Sequence, residues 1–131
     1  MKFIQSNIKK AKKYLDKNHC VAVPTETVYG LAGNAYSDLS IKKIFKLKKR
    51  PKINPLIIHF KNLKDMRNDV FYSPLFVKLY KQFCPGPITF VLKKKKSSLL
   101  PNIATANLKT VAVRVPRNKT IRKILKSLNL S

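Results

Sequence analysis

Apolar positions recur along the chain at two periods, one helical and one extended. Ile8, Ala11 and Leu15 share one helical face, with Ser6 or Asn7 standing where an N-cap belongs and Lys17-Asn18-His19 closing the helix. Cys20–Val23 is a short apolar strand running into Pro24, and two glycines follow within Pro24–Ala35, where the backbone is expected to turn tightly or approach a ligand. Ile41, Ile44, Phe45 and the stem of Lys48 mark a second helix, capped by Asp38 or Ser40 and ended by Pro51. Leu56–Phe60 alternates as a strand, with Leu56, Ile58 and Phe60 on one face and Ile57 and His59 on the other.

The second half continues the alternation. Asn62–Asp69 reads as a short helix or loop. Ser73-Pro74 then opens a helix whose apolar stripe is Leu75, Phe76, Leu79 and Phe83, and Pro85-Gly86-Pro87 stops it. Ile88–Leu92 is a strand, Lys93–Ser98 an exposed basic loop, and Leu99–Leu108 shows no clear period. Thr110–Pro116 is a strand with Val111, Val113 and Val115 on one face and Ala112 and Arg114 on the other, and Ile121, Ile124, Leu125 and Leu128 mark the last helix. Helices alternating with strands predict an α/β fold, a sheet with helices packed on it.

Composition changes this picture in one respect. A chain of 131 residues with 44% hydrophobic content suits one domain with a modest core. Its net charge of +24 is exceptional, with five acidic residues against 29 cations and Glu26 the only glutamate. Such a field attracts phosphates and nucleic acid, although drift toward lysine accounts for part of it. Cys20 and Cys84 have no metal-ligand spacing and are expected to be free thiols, Cys20 buried in its strand and Cys84 near a helix end. The N-terminus has no long apolar run, so neither a signal peptide nor a membrane span is expected, and a cytoplasmic protein follows.

The chemistry is expected to centre on Lys48–Phe60, where a basic helix end passes through two prolines and Asn54 into the strand carrying His59. Lys48 and Arg50 could merely complement the helix dipole, but together with Asn54 they form a phosphate grip. Arg114 lies within a valine-rich strand, where an unpaired buried charge is costly. Either it pairs with one of the five acids, or it reaches the surface at the strand's end, or it meets a ligand carboxylate or phosphate, and the scarcity of acids favours the ligand. His59 is either a satisfied half-buried histidine or a group facing a cleft. The chain has no phosphate-binding glycine loop, no carboxylate pair and no His/Cys/Asp cluster. A cysteine–histidine nucleophile pair would need Cys20 or Cys84 in a loop beside His19 or His59, and neither cysteine is so placed. An enzyme with these residues works by alignment and charge.

Four segments in order carry a resemblance. They are Pro24-Thr25-Glu26-Thr27-Val28-Tyr29-Gly30-Leu31, then Lys48-Lys49-Arg50-Pro51 with Asn54-Pro55-Leu56-Ile57, then Pro85-Gly86-Pro87-Ile88-Thr89, and last Val111-Ala112-Val113-Arg114-Val115-Pro116. Over nearly the whole chain the sequence resembles the YrdC/Sua5 family, the L-threonylcarbamoyladenylate synthases. The resemblance implies a YrdC/RibB-like twisted mixed sheet with helices packed on it around a basic cavity. It implies ATP, L-threonine and bicarbonate as substrates, and threonylcarbamoyl-AMP and pyrophosphate as products. That adenylate serves the threonylcarbamoyl modification of adenosine 37 in tRNA. The resemblance assigns Thr27, His59 and Arg114 to L-threonine, and Lys48, Arg50, Asn54 and Thr110 to ATP, with Lys48 and Arg50 also catalytic. Mg²⁺ would be held through the phosphates, with no protein metal site. Implied partners are tRNA or double-stranded RNA and the proteins of the threonylcarbamoyl-transfer step, with no membrane.

Two departures belong to the same comparison. Family members continue past the last helix into a strand and a Ser-x-Asn segment that closes over the nucleotide, so residues 1–131 are expected to form a YrdC-like domain lacking it. Asn118 stands near a position where many relatives carry histidine. The alternative functions are a non-catalytic tRNA- or RNA-binding module, and a carbamoyl-transfer domain of hydrogenase maturation.

Overall fold

The computed structural model describes residues 5–24 and 29–128. In chain order the elements are α1 (Gln5–Asp16), β1 (Val21–Pro24), β2 (Tyr29–Ala32), α2 (Asp38–Lys48), β3 (Ile57–His59), α3 (Leu63–Met66), α4 (Pro74–Phe83), β4 (Phe90–Lys93), a 3₁₀ turn (Asn102–Thr105), β5 (Thr110–Arg114) and α5 (Lys119–Ser127). The strands form two sheets. β1 and β2 pair as an antiparallel hairpin, and β3-β5-β4 is a mixed sheet, parallel between β3 and β5 and antiparallel between β5 and β4.

Two apolar clusters hold these layers. Ile41 and Phe45 of α2, Phe76 of α4, Ile58 and Phe60 beside β3, and Val111, Val113 and Val115 form the larger one. Ile8, Ala11 and Leu15 of α1, Val23 of β1, and Ile121 and Ile124 of α5 form the smaller. Val113 is 0% exposed, and burial of each such side chain contributes about 2 kcal/mol. The predicted α1 stripe, the α5 face and the odd-numbered valine face of β5 are therefore the core.

Several local expectations are corrected. Ser6 and Asn7 lie inside α1 rather than ahead of it. Ser37 caps α2: its Oγ accepts from the Ser40 N–H at 3.2 Å, which leaves Asp38 in the first turn as the dipole's negative partner. Lys49, at φ 51°, ends that helix in the left-handed region two residues before Pro51. On α4 the predicted cap at Ser73 is present, but Leu75 and Phe83 are exposed, and the packed side is Phe76, Val77, Tyr80 and Cys84. Cys20 is half-buried just before β1 rather than inside it, and both cysteines are free. The stretch from Gly30 holds strand β2 where only a glycine turn is expected. At Gly33 helix α2 packs close: an added Cβ would lie 3.2 Å from Ile44 Cδ1 and 3.3 Å from Ser40 Cβ, so these neighbours would have to give way.

The Lys93–Ser98 segment is not a free loop. Lys93 closes β4, Lys94 bridges to Val70, and the half-buried Lys94 Nζ donates to the Leu100 carbonyl at 3.1 Å. Burial holds the Lys94 ammonium below its ordinary pKa, with Asp69 opposing that shift.

Gly86 sits where its N–H donates to the Val115 carbonyl at 3.0 Å, and an added Cβ would stand 2.6 Å from the Phe83 carbonyl oxygen. Gly86→Ala should therefore cost about 2 kcal/mol in urea unfolding. Tyr72, whose hydroxyl donates to the Leu63 carbonyl, is pushed up to about 12, chiefly by burial. A phenol whose folded pKa is raised stabilises the fold fully below its unfolded pKa of about 10 and loses that contribution as pH climbs through the folded value. Stability measured by thermal melts should be flat to about pH 9 and fall above about pH 10, more steeply than in Tyr72→Phe.

Candidate functional site

The register of the mixed sheet decides which predicted residues meet. Ile57 pairs with Ala112 and His59 with Arg114, so these four project from the face opposite the valine core. On the other side of β5, Val91 pairs with Ala112 and Lys93 with Thr110. Continuing that register puts Thr89 opposite Arg114. His59, Arg114 and Thr89 thus form one row across the sheet. Thr110 lies on the same face, four residues and about 13 Å further along β5.

Arg114 is held in that row. Its Nε and Nη2 donate to Thr89 Oγ1 at 3.0 and 2.7 Å, so the guanidinium is oriented by a neutral hydroxyl. Thr89 is a residue that sequence reasoning passed over. The signal was its place in Pro85-Gly86-Pro87-Ile88-Thr89, and the Gly86 contact to Val115 carries that turn to the end of β5. His59 is half-buried beside Arg114 in register.

Arg50 sits at the other end. Its Nε donates to the Asn54 carbonyl at 3.2 Å and its Nη2 to the Pro55 carbonyl at 2.6 Å, which folds the Arg50–Pro55 connection back on itself. Asn54 and Lys48 are exposed. Lys48, Arg50 and His59 line a cavity of about 330 Å³, together with Gly30–Gly33 of the hairpin, Tyr36, Lys61, Asp65 and apolar residues of α1, α2 and α5. The cavity separates the hairpin from the outer edge of β3 and is lined largely by apolar side chains. Arg114, Thr110 and Asn54 are not on its wall. They belong to the open sheet face and the connection beside it. Thr27 lies outside the described residues.

None of the described acids reaches the two arginines. Asp16 pairs with Lys12 at 2.6 Å and Asp65 with Lys61 at 3.4 Å. Asp69 is 1% exposed and accepts from Tyr36 Oη and Ser98 Oγ, each at 2.6 Å. Asp38 is exposed at the start of α2. Burial and then this bond to Asp69 push the Tyr36 hydroxyl pKa well up, so it stays a donor on the cavity wall. Burial also pushes both cysteine thiols up, Lys43 offsetting part of this for Cys20, which makes them poor nucleophiles at neutral pH. Among the described residues, no three His, Cys, Asp or Glu come together to hold a metal, and no helix is long and apolar enough to cross a membrane. Asn118 caps α5, its Oδ1 accepting from the N–H groups of Thr120 and Ile121.

Comparison with known proteins gives a consistent result. The Sua5/YciO/YrdC family model, described as "Telomere recombination", matches residues 13–131. A threonylcarbamoyl-AMP synthase of Pyrococcus abyssi is 40% identical over 119 residues, covering 90% of this chain and 34% of its own length. One from Bacillus subtilis is 43% identical over 110 residues, covering 83% of this chain and 32% of its own. The crystal structure of P. abyssi Sua5 complexed with L-threonine superposes with a TM-score of 0.87 at 37% identity, over 96% of this chain and 37% of that one. The chain therefore spans about a third of the length of these relatives.

Proposed function

The chain belongs to the Sua5/YciO/YrdC family, and from that premise we propose that it acts as an L-threonylcarbamoyladenylate synthase. The observation that carries the reading is the pair of arginines, Arg114 and Arg50, bonded among the described residues only to a hydroxyl and to carbonyls, with no described aspartate reaching either. Their charge is left for anionic substrates. Two relatives named threonylcarbamoyl-AMP synthase, and a likeness to a family structure complexed with L-threonine, support the same reading.

In this proposal Arg114 binds the threonine carboxylate beside His59, and Thr27 completes that subsite. Lys48 and Arg50 neutralise the triphosphate, and Asn54 and Thr110 hold the nucleotide. The separation of about 13 Å between Thr110 and Arg114 suits a nucleotide and an amino acid laid end to end along β5. The threonine amine takes up CO₂ from bicarbonate as a carbamate. A carbamate oxygen then attacks the α-phosphorus of ATP and pyrophosphate leaves. The protein's part in that displacement is alignment and charge neutralisation. The described residues offer no acidic cage for a divalent ion, so Mg²⁺ would arrive on the phosphates. The adenylate would serve threonylcarbamoyl transfer to adenosine 37 of tRNA in the cytoplasm, alongside the proteins of that step.

Pyrophosphate release should require ATP, L-threonine and bicarbonate together. ATP turnover indifferent to L-threonine would refute the synthase. Salt-sensitive RNA binding with no pyrophosphate release would favour a binding module instead.

A further inference from the structure

At the margin of the mixed sheet, three backbone segments run side by side. The Phe71 N–H donates to the Lys93 carbonyl at 2.9 Å, Lys94 donates to the Lys109 carbonyl at 2.8 Å, and Lys95 donates to the Asp69 carbonyl at 2.8 Å. Phe71 is 50% exposed, an aromatic ring presented to water. The ammonium groups of Lys93 and Lys95 stand 5.7 and 5.5 Å from its centroid. Val91, two residues before Lys93 on the same strand face, is also exposed.

Neither lysine has a carboxylate partner among the described residues, whose ion pairs are Lys12–Asp16 and Lys61–Asp65. The nearby Asp69 side chain is buried, with both oxygens engaged by Tyr36 and Ser98. The chain thus exposes an aromatic face ringed by uncompensated positive charge. A cation over an exposed ring is worth about 0.5–1 kcal/mol. That keeps the ring soluble and also holds two ammonium groups beside a flat apolar face.

We propose that Phe71, Lys93 and Lys95 form a docking platform for single-stranded nucleic acid, one base stacking on the ring and flanking phosphates pairing with the lysines. Charge complementarity selects a polyanion, and the half-exposed ring, uncovered as the two lysines turn to the phosphates, selects one with unpaired bases. A duplex hides its base faces within the stack, so it can use the lysines but not Phe71. Lys93 pairs in register with Thr110, so the platform continues the open sheet face beyond its proposed nucleotide end.

The test is fluorescence anisotropy with a labelled single-stranded oligoribonucleotide, its deoxy counterpart and a matched RNA duplex, on the native chain and its variants across a salt series. Phe71→Ala should weaken single-strand binding about tenfold and leave duplex binding unchanged. Phe71→Tyr should retain it. Replacing Lys93 and Lys95 together with alanine should flatten the single-strand salt slope by about 1.4. Equal affinity for RNA and DNA strands is expected, and a strong preference for RNA would overturn the stacking platform in favour of a 2′-hydroxyl reader. An unchanged single-strand affinity in Phe71→Ala, or equal losses for strand and duplex, would also overturn it and leave only diffuse electrostatic binding. L-threonine titration of the same variants, expected to match the native chain, separates this surface from the synthase reading.

Discussion

Replacing Arg114 with alanine should weaken L-threonine binding about thirtyfold, as isothermal titration would report, with ATP affinity far less affected. The magnitude follows from a charge-assisted bond to a carboxylate at about 2 kcal/mol. The specificity follows from position. Arg114 shares its row with His59 and Thr89, while Thr110 lies four residues back along β5 and Arg50 is tied to Asn54 and Pro55 in the connection ahead of β3. Arg114→Lys should recover only part of the loss, because an ammonium cannot reproduce the planar fork that engages Thr89 Oγ1 through Nε and Nη2. Thr89→Val should lie between native and Arg114→Ala, since it keeps the charge and removes its tether. Threonine affinity unchanged by Arg114→Ala would place the carboxylate site elsewhere.

Asp69→Ala should be the most damaging substitution for stability. Asp69 is almost wholly buried and accepts two hydroxyl hydrogen bonds, from Tyr36 beside the cavity and Ser98 beyond β4. Truncation strands both hydroxyls and opens space under the segment that carries Lys93–Ser98. The expected cost is about 3 kcal/mol, or a fall in melting temperature of roughly 10 °C. Asp69→Asn preserves the volume and one acceptor, so it should cost less than half as much. Equal melting temperatures for the native chain and Asp69→Ala would mean that water replaces the carboxylate, leaving the network without structural weight.

Both substitutions turn on contacts between residues far apart in the chain, and this marks how much of the molecule was legible beforehand. Periodicity alone located the helices and the buried faces. Ile8, Ala11 and Leu15, the odd-numbered valines of β5, and the Ile58 and Phe60 side of β3 are the core because a repeat of apolar residues must bury one face. It failed where local competitors were equally plausible. Ser37 rather than Asp38 or Ser40 caps α2, and Phe76 and Tyr80 rather than Leu75 and Phe83 face inward on α4. Neighbouring residues of like polarity differ there only in what tertiary packing places against them.

The scarcity of acids was likewise plain from composition, and with it the inference that Arg50 and Arg114 lack aspartate partners. Their actual partners were not. Thr89 is 25 residues from Arg114 and becomes its hydrogen-bond acceptor only because β4 runs antiparallel to β5. Charge and periodicity are properties of single residues or short windows, so the chain determines them directly. Which hydroxyl orients which guanidinium depends on strand register, and register exists only once the sheet has formed.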